Sequence, residues 1–68
     1  MQFSDLHIGE EFYFGEQATI RSTKYRKVGE ELYVYSTDKK EVWKYWVVGY
    51  AVVCKEIVPI AYIPRGVG

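Results

Sequence analysis

The chain has one cysteine, Cys54, and one histidine, His7, among its 68 residues. A single cysteine excludes an intrachain disulfide. The pair also falls short of a structural zinc site within one chain, which draws four ligands mainly from those two residue types. Charge of one sign is lacking as well. Nine basic and nine acidic residues cancel, whereas a dedicated nucleic-acid binder is usually basic. No long hydrophobic run is present. The longest apolar stretch, Trp46 to Cys54, meets Lys55 and Glu56, well short of the ~20 residues that a membrane-spanning helix needs. The N-terminus carries Asp5, Glu10 and Glu11 where a secretory signal would place a basic patch and an apolar core, so no signal peptide is expected. The lone cysteine fits a reducing compartment, and a cytoplasmic location is expected.

What the chain does have is aromatic mass. Apolar residues make up 49% of it, including seven Tyr, three Phe and two Trp. One domain, residues 1–68, is expected at this length. A chain this short buries only about 60% of the surface that its unfolded form exposes, so its core is thin. With disulfide and zinc excluded, apolar content and self-association are the remaining sources of stability. Each aromatic side chain buries on the order of 150–250 Å², so these rings can fill a small core.

Charge comes in blocks. Acids alone occupy 1–16, bases alone (Arg21, Lys24, Arg26, Lys27) occupy 17–29, and acids alone (Glu30, Glu31, Asp38) occupy 30–38. Neighbouring strands can pair such blocks across a sheet; the competing reading is a functional basic face.

Along the chain, Phe3 to Gly9 reads as a single helical turn. Ser4 suits the N-cap, Phe3 and Ile8 have the spacing of a hydrophobic staple, Leu6 points to the core, and Gly9 ends the turn. Glu11 to Gly15 reads as a strand, with Phe12 and Phe14 on one face and Glu11 and Tyr13 on the other. After a turn at Gly15-Glu16-Gln17, residues Ala18 to Val28 suit a half-exposed strand. Leu32 to Ser36 alternates, with Leu32 and Val34 on one face and Tyr33 and Tyr35 on the other. Thr37 to Lys40 is turn-like. Val42 to Val48 is strongly β-prone, with large apolar groups on both faces. Gly49 marks a bulge or bend, and Tyr50 to Val58 reads as a further strand. Pro59 and Pro64 bracket a short edge strand or turn, Ile60 to Ile63, and Arg65 to Gly68 reads as a frayed tail. Five short strands without a long helix predict an all-β fold, a small partly open barrel of the SH3-like or OB-like kind. At this length a five-stranded SH3-like barrel with a short N-terminal helical turn is the better fit.

The opening stretch, Phe3 to Phe14, contains Asp5-Leu6, then Gly9, then Phe12 and Phe14. It resembles the start of many small uncharacterised bacterial and phage proteins, in which a D-L-x-x-G-x-x-F opening leads into the first strand and a Tyr-x-Lys motif follows in the second. Tyr25-Arg26-Lys27 looks like that second element. The resemblance covers roughly the first half of the chain. It implies a β-barrel and an accessory protein that binds and blocks a host or defence component, and it carries no catalytic residues. Trp43 to Trp46 lies outside it.

Candidates for chemistry are few. His7 sits near Asp5, but residues two apart on a turn do not share a face, and a surface histidine is the expectation. Ser4, Asp5 and His7 are triad residue types, but a triad is defined by spatial roles rather than by sequence neighbours. Cys54 lies in an apolar strand, where thiols are usually inert, and Lys55 points to the opposite face. Glu10-Glu11 and Glu30-Glu31 read as solvated strand starts, without the burial that a general acid needs. The glycines form no phosphate-binding loop. No catalytic residue, cofactor or metal is therefore expected, and the chain is not expected to be an enzyme.

One constellation stands out. Tyr33, Tyr35, Trp43 and Tyr45 are the candidate contact surface for a protein partner, including a second copy in a homodimer, because Tyr and Trp are enriched interface anchors. The alternative is single-stranded nucleic acid, with bases stacked on those rings and phosphates held by Arg21, Lys24, Arg26 and Lys44. The structural competitor is that the rings simply fill and cover a small core. No membrane partner is expected.

Overall fold

A computed structural model of the chain describes residues 1–58. A short 3-10 turn, Phe3–Asp5, precedes five strands: β1 (Glu11–Phe14), β2 (Tyr25–Gly29), β3 (Leu32–Tyr35), β4 (Tyr45–Trp46) and β5 (Val53–Cys54). They form one antiparallel sheet in the order β4-β3-β2-β1-β5. The first four strands are a meander, and β5 returns to lie beside β1. β4 and β5 are its two edges, so among the described residues the sheet is not closed. No helix among the described residues is long and apolar enough to cross a membrane. The expected strand at Ile60 to Ile63 and the expected tail at Arg65 to Gly68 lie outside the described residues.

Register assigns the faces. Phe12 pairs with Tyr25, Tyr25 with Tyr35, Phe14 with Val53, and Tyr33 with both Lys27 and Tyr45. Cross-strand partners share a face, so these residues line one side. Glu11, Tyr13, Arg26, Leu32, Val34, Trp46 and Cys54 line the other. The first side carries the main core: Phe3, Leu6, Phe12 and Val53 are buried together, with Phe14, Tyr25, Tyr33, Val47 and Ala51 packed against them. Burying each of these apolar side chains contributes about 1.5–3 kcal/mol. Tyr13, Ala18 and Val34 are buried outside that cluster.

The N-terminal turn forms a lid over one end of the core face. The N–H groups of Phe3 and Ser4 donate to the carbonyls of Ala51 and Gly49, both at 2.8 Å, and the Val53 N–H donates to the Met1 carbonyl at 2.8 Å. Lys27, buried on the same face, completes the seal. Its Nζ donates to the carbonyls of Phe3 (3.1 Å) and Leu6 (2.8 Å) and stands 4.7 Å from the centre of the Phe3 ring. The ammonium gives the Leu6 carbonyl a charged donor and the Phe3 carbonyl a second donor beside the Leu6 N–H.

Several sequence expectations need correction. The helical turn spans Phe3–Asp5 rather than reaching Gly9. Gln2, not Ser4, precedes it as the cap. The Gln2 N–H donates to Asp5 Oδ2 at 2.9 Å and the Asp5 N–H to the Gln2 carbonyl at 2.9 Å. Ile8 is 68% exposed, so it cannot staple against the fully buried Phe3; Lys27 and the Ala51 segment hold Phe3 instead. Leu6 is buried as expected, and Gly9 is left-handed at φ 101°. The expected strand Ala18 to Val28 shortens to Tyr25–Gly29. Ahead of it, Thr19 and Ser22 close a turn on themselves: the Ser22 N–H donates to the Thr19 carbonyl and the Thr19 N–H to Ser22 Oγ. The Val42 to Val48 strand shrinks to Tyr45–Trp46 because the Asp38 carboxylate takes the Trp43 N–H at 3.1 Å and Glu41 is left-handed at φ 55°. The Tyr50 to Val58 strand contracts to Val53–Cys54, since the preceding residues are committed to holding the N-terminal turn.

Candidate functional site

The site is built on β3 and β4 and reaches back to β1 and β2. Alternation along β3 places Tyr33 and Tyr35 on the core face, and β2 and β4 supply Tyr25 and Tyr45 beside them. The four rings form a closed circuit. Centroids lie 5.1 Å apart for Tyr25–Tyr33, 5.2 Å for Tyr25–Tyr35, 5.5 Å for Tyr33–Tyr45 and 5.7 Å for Tyr35–Tyr45. Phe14 joins them, 5.2 Å from Tyr25 and 5.1 Å from Tyr33. Most contacts are edge-to-face, the arrangement favoured by the ring quadrupole and worth about 0.5–1.5 kcal/mol per pair beyond burial. The array runs from buried to exposed. Phe12 lies in the core, Tyr25 and Tyr33 are half-buried, and Tyr35 and Tyr45 are 44% and 40% exposed. Burial, and then the neighbouring Tyr25, Tyr35 and Tyr45, push the Tyr33 phenol above the ordinary tyrosine range.

Alternation along β3 separates Tyr33 and Tyr35 from Leu32 and Val34 without saying which pair meets the main core, and this geometry decides it. Tyr33 and Tyr35 share the core face, and Val34 is buried on the other. Leu32, on the same face as Val34, is partly exposed beside Trp46. The lid decides the matter, because Phe3 and Leu6 pack on the tyrosine side. Tyr33 is therefore part support and part surface, whereas Tyr35 and Tyr45 carry the accessible rings.

The tryptophans complete the patch. Trp43 is 71% exposed and Trp46 65%. Trp43 stands on a loop organised by Asp38. Hydrogen bonds from the N–H of Trp43, and then from those of Val42, Lys40 and Glu41, hold the Asp38 carboxyl below its ordinary range. Arg26 braces the same loop from β2, donating to the carbonyls of Ser36 and Asp38, both at 3.0 Å. Trp46 lies on the face opposite Tyr45, and its indole N–H donates to Glu31 Oε1 at 3.2 Å. Trp46 was not among the expected contact residues. Its alternation with Tyr45 placed the two on opposite faces, but both faces of that stretch are apolar, so the sequence pattern could not say that each is open.

The candidate phosphate-binding residues do not assemble. Arg26 is largely buried against the loop carbonyls and lies 3.8 Å from Glu41. Lys24 lies 3.6 Å from Glu11, whose carboxyl is held low by a hydrogen bond from Ser36 Oγ and then by the Lys24 and Lys39 charges. Lys44 donates to the Glu41 carbonyl at 3.1 Å. Arg21 sits apart in the Thr19–Ser22 turn. The basic block therefore meets acids across the sheet. The same holds at the opposite edge, where Lys55 lies 2.6 Å from Glu10. That hydrogen bond, followed by one from the His7 N–H, holds the Glu10 carboxyl low. The His7 side chain is 91% exposed. Cys54 is only partly buried, not fully as its apolar neighbours suggest. Among the described residues, no group of three or more His, Cys, Asp and Glu side chains is placed to hold a metal ion.

No family model, curated protein or solved structure matches the chain.

Proposed function

We propose that this protein is a non-catalytic binding module, a small SH3-like barrel that works through protein contacts made by the aromatic edge around β3 and β4. The observation that carries the reading is the exposure of Tyr35, Trp43, Tyr45 and Trp46 on and around β4, an edge of the sheet among the described residues. Rings needed only to fill a core would be buried, and Phe3 and Phe12 already serve that purpose. The four-strand meander with β5 returning to β1 is the strand order of a small barrel opened along the β4–β5 seam, which supports the SH3-like assignment. Engagement of Lys24 and Arg26 with carboxylates and carbonyls argues for protein over nucleic acid. The lone cysteine supports a cytoplasmic location. On the resemblance of Phe3 to Phe14 and Tyr25 to Lys27, its role is that of an accessory or inhibitor protein of the phage type.

Affinity capture with Tyr35→Ala and Trp43→Ala variants tests the reading. A specific partner should be retained by the wild type and by Ile8→Ala, and lost from both aromatic variants while each remains folded by circular dichroism. Equal recovery by all forms would remove the aromatic edge from consideration. An oligonucleotide bound at low salt, with affinity falling steeply as salt rises, would transfer the surface to nucleic acid.

A further inference from the structure

We propose that the edge of β4, open among the described residues, pairs antiparallel with β4 of a second copy of this chain, in the register that sets Tyr45 opposite its own symmetry mate. The inference rests on the proposed reading of the β3–β4 edge as a protein-contact surface and names its partner.

The hydrogen-bonding pattern supplies the first argument. Tyr33 pairs with Tyr45 and Leu32 with Trp46, and the Val47 N–H donates to the Glu31 carbonyl at 2.9 Å. In an antiparallel ladder, bonded and non-bonded pairs alternate. Val47 and Tyr45 therefore spend their backbone groups on β3, while those of Trp46, and by the same alternation Lys44, point to the open side. An edge that offers N–H and C=O groups at alternate residues is complementary to another extended backbone. No proline interrupts 37–58, and exposed Val42, Trp43 and Trp46 flank the edge, although β4 is short and carries Lys44 beside it.

Charge selects the copy and the register. A two-fold axis perpendicular to the sheet preserves faces, so it must pass through a residue that meets its own mate. The registers that use the free groups centre on Lys44, Tyr45 or Trp46. Centring on Lys44 opposes two ammonium groups and is disfavoured. Centring on Trp46 leaves Lys44 opposite Val48. Centring on Tyr45 sets each Lys44 opposite the second copy's Trp46, whose indole already bonds the Glu31 carboxylate. The ammonium then meets a ring face with a negative charge beside it, a cation–π arrangement with added charge complementarity. On the other face, Tyr45 meets Tyr45, and the tyrosine circuit of one copy continues into the other. The chain carries no net charge, so no long-range repulsion opposes the approach. A pairing confined to so short an edge stays below the ~1,000 Å² of a stable specific interface, the range of weak, reversible contacts. A weak, reversible dimer is expected.

Sedimentation equilibrium should show a monomer–dimer equilibrium up to about millimolar protein, and Lys44→Glu, which sets a carboxylate beside Trp46 and Glu31, should weaken it at least ~10-fold. Register is read by oxidative crosslinking in a Cys54→Ser background. Opposed residues in a non-bonded antiparallel pair have Cα atoms about 4.5 Å apart, within disulfide range. Tyr45→Cys should link two chains; Lys44→Cys and Trp46→Cys should not. A strict monomer at millimolar concentration, an unchanged equilibrium for Lys44→Glu, or linkage at 44 or 46 instead of 45 would each overturn the proposal. If a monomeric protein nonetheless loses a different protein partner on Trp43→Ala, self-pairing fails while the contact-surface reading stands.

Discussion

Replacing Lys27 by methionine should destabilise the domain by about 2–3 kcal/mol. The side chain is 4% exposed. Its Nζ donates to the carbonyls of Phe3 and Leu6. Methionine keeps most of the apolar stem against Phe3 and Leu6 but offers no donor. The Phe3 carbonyl retains the Leu6 N–H at 3.1 Å, so its loss is partial. The Leu6 carbonyl loses its charged partner and stays near the core. Hydrogen bonds to charged groups contribute about 1.5–3 kcal/mol, and a buried acceptor left unmet costs about 1–3 kcal/mol. Relief of ammonium burial offsets part of that sum, leaving about 2–3 kcal/mol. A small domain has only about 0.05–0.15 kcal/mol of stability per residue, so this is a large share of the total. Urea unfolding followed by far-ultraviolet circular dichroism gives the number. Hydrogen exchange at Phe3 and Ser4 should accelerate as well, because their amides bond to the Ala51 and Gly49 carbonyls only while the lid is seated. A Lys27→Met protein as stable as the wild type, with those amides still protected, would refute the reasoning.

Arg26→Lys should cost about 1–2 kcal/mol, because a single ammonium cannot span the Ser36 and Asp38 carbonyls as the guanidinium does; denaturant midpoints check it, and unchanged stability would contradict the bracing role. Acid should weaken the fold. The carboxyls of Glu10, Glu11 and Asp38 are held below their ordinary range, so their contribution is complete above that range and is lost as pH falls through their lowered folded-state values. Unfolding midpoints between neutral pH and pH ~3 should fall, and less steeply in Glu10→Gln. The Tyr33 phenol titrates above the ordinary range, so its contribution is complete below that range and is lost as pH rises through the raised value. In an ultraviolet alkaline titration, Tyr33→Phe should remove the latest-ionising component. Gly9→Ala should cost about 1 kcal/mol through its positive φ, since no atom within 4 Å would oppose the new Cβ.

Period-two alternation and turn residues by themselves determined an all-β chain. Strands could be read at Glu11 to Gly15 and Leu32 to Ser36, a left-handed Gly9 and a turn at Gly15, and of the charge blocks one cross-sheet pair forms, Lys24–Glu11, while Arg26 meets Glu41 outside them. Alternation says which residues share a face, not which face is covered. Both sides of β3 and β4 are apolar enough to be buried, so the choice belonged to tertiary structure. The lid brings Phe3 and Leu6 onto the tyrosine side, half-buries Tyr33, and leaves Tyr35 and Tyr45 at the rim. The lengths of β4 and β5 were likewise decided by long-range bonds, the Asp38 carboxylate shortening one and the N-terminal segment the other. Lys27 shows the limit most clearly. As one of four bases in a half-exposed run it gives no sequence sign of burial, and only the distant Phe3 and Leu6 carbonyls make its burial favourable.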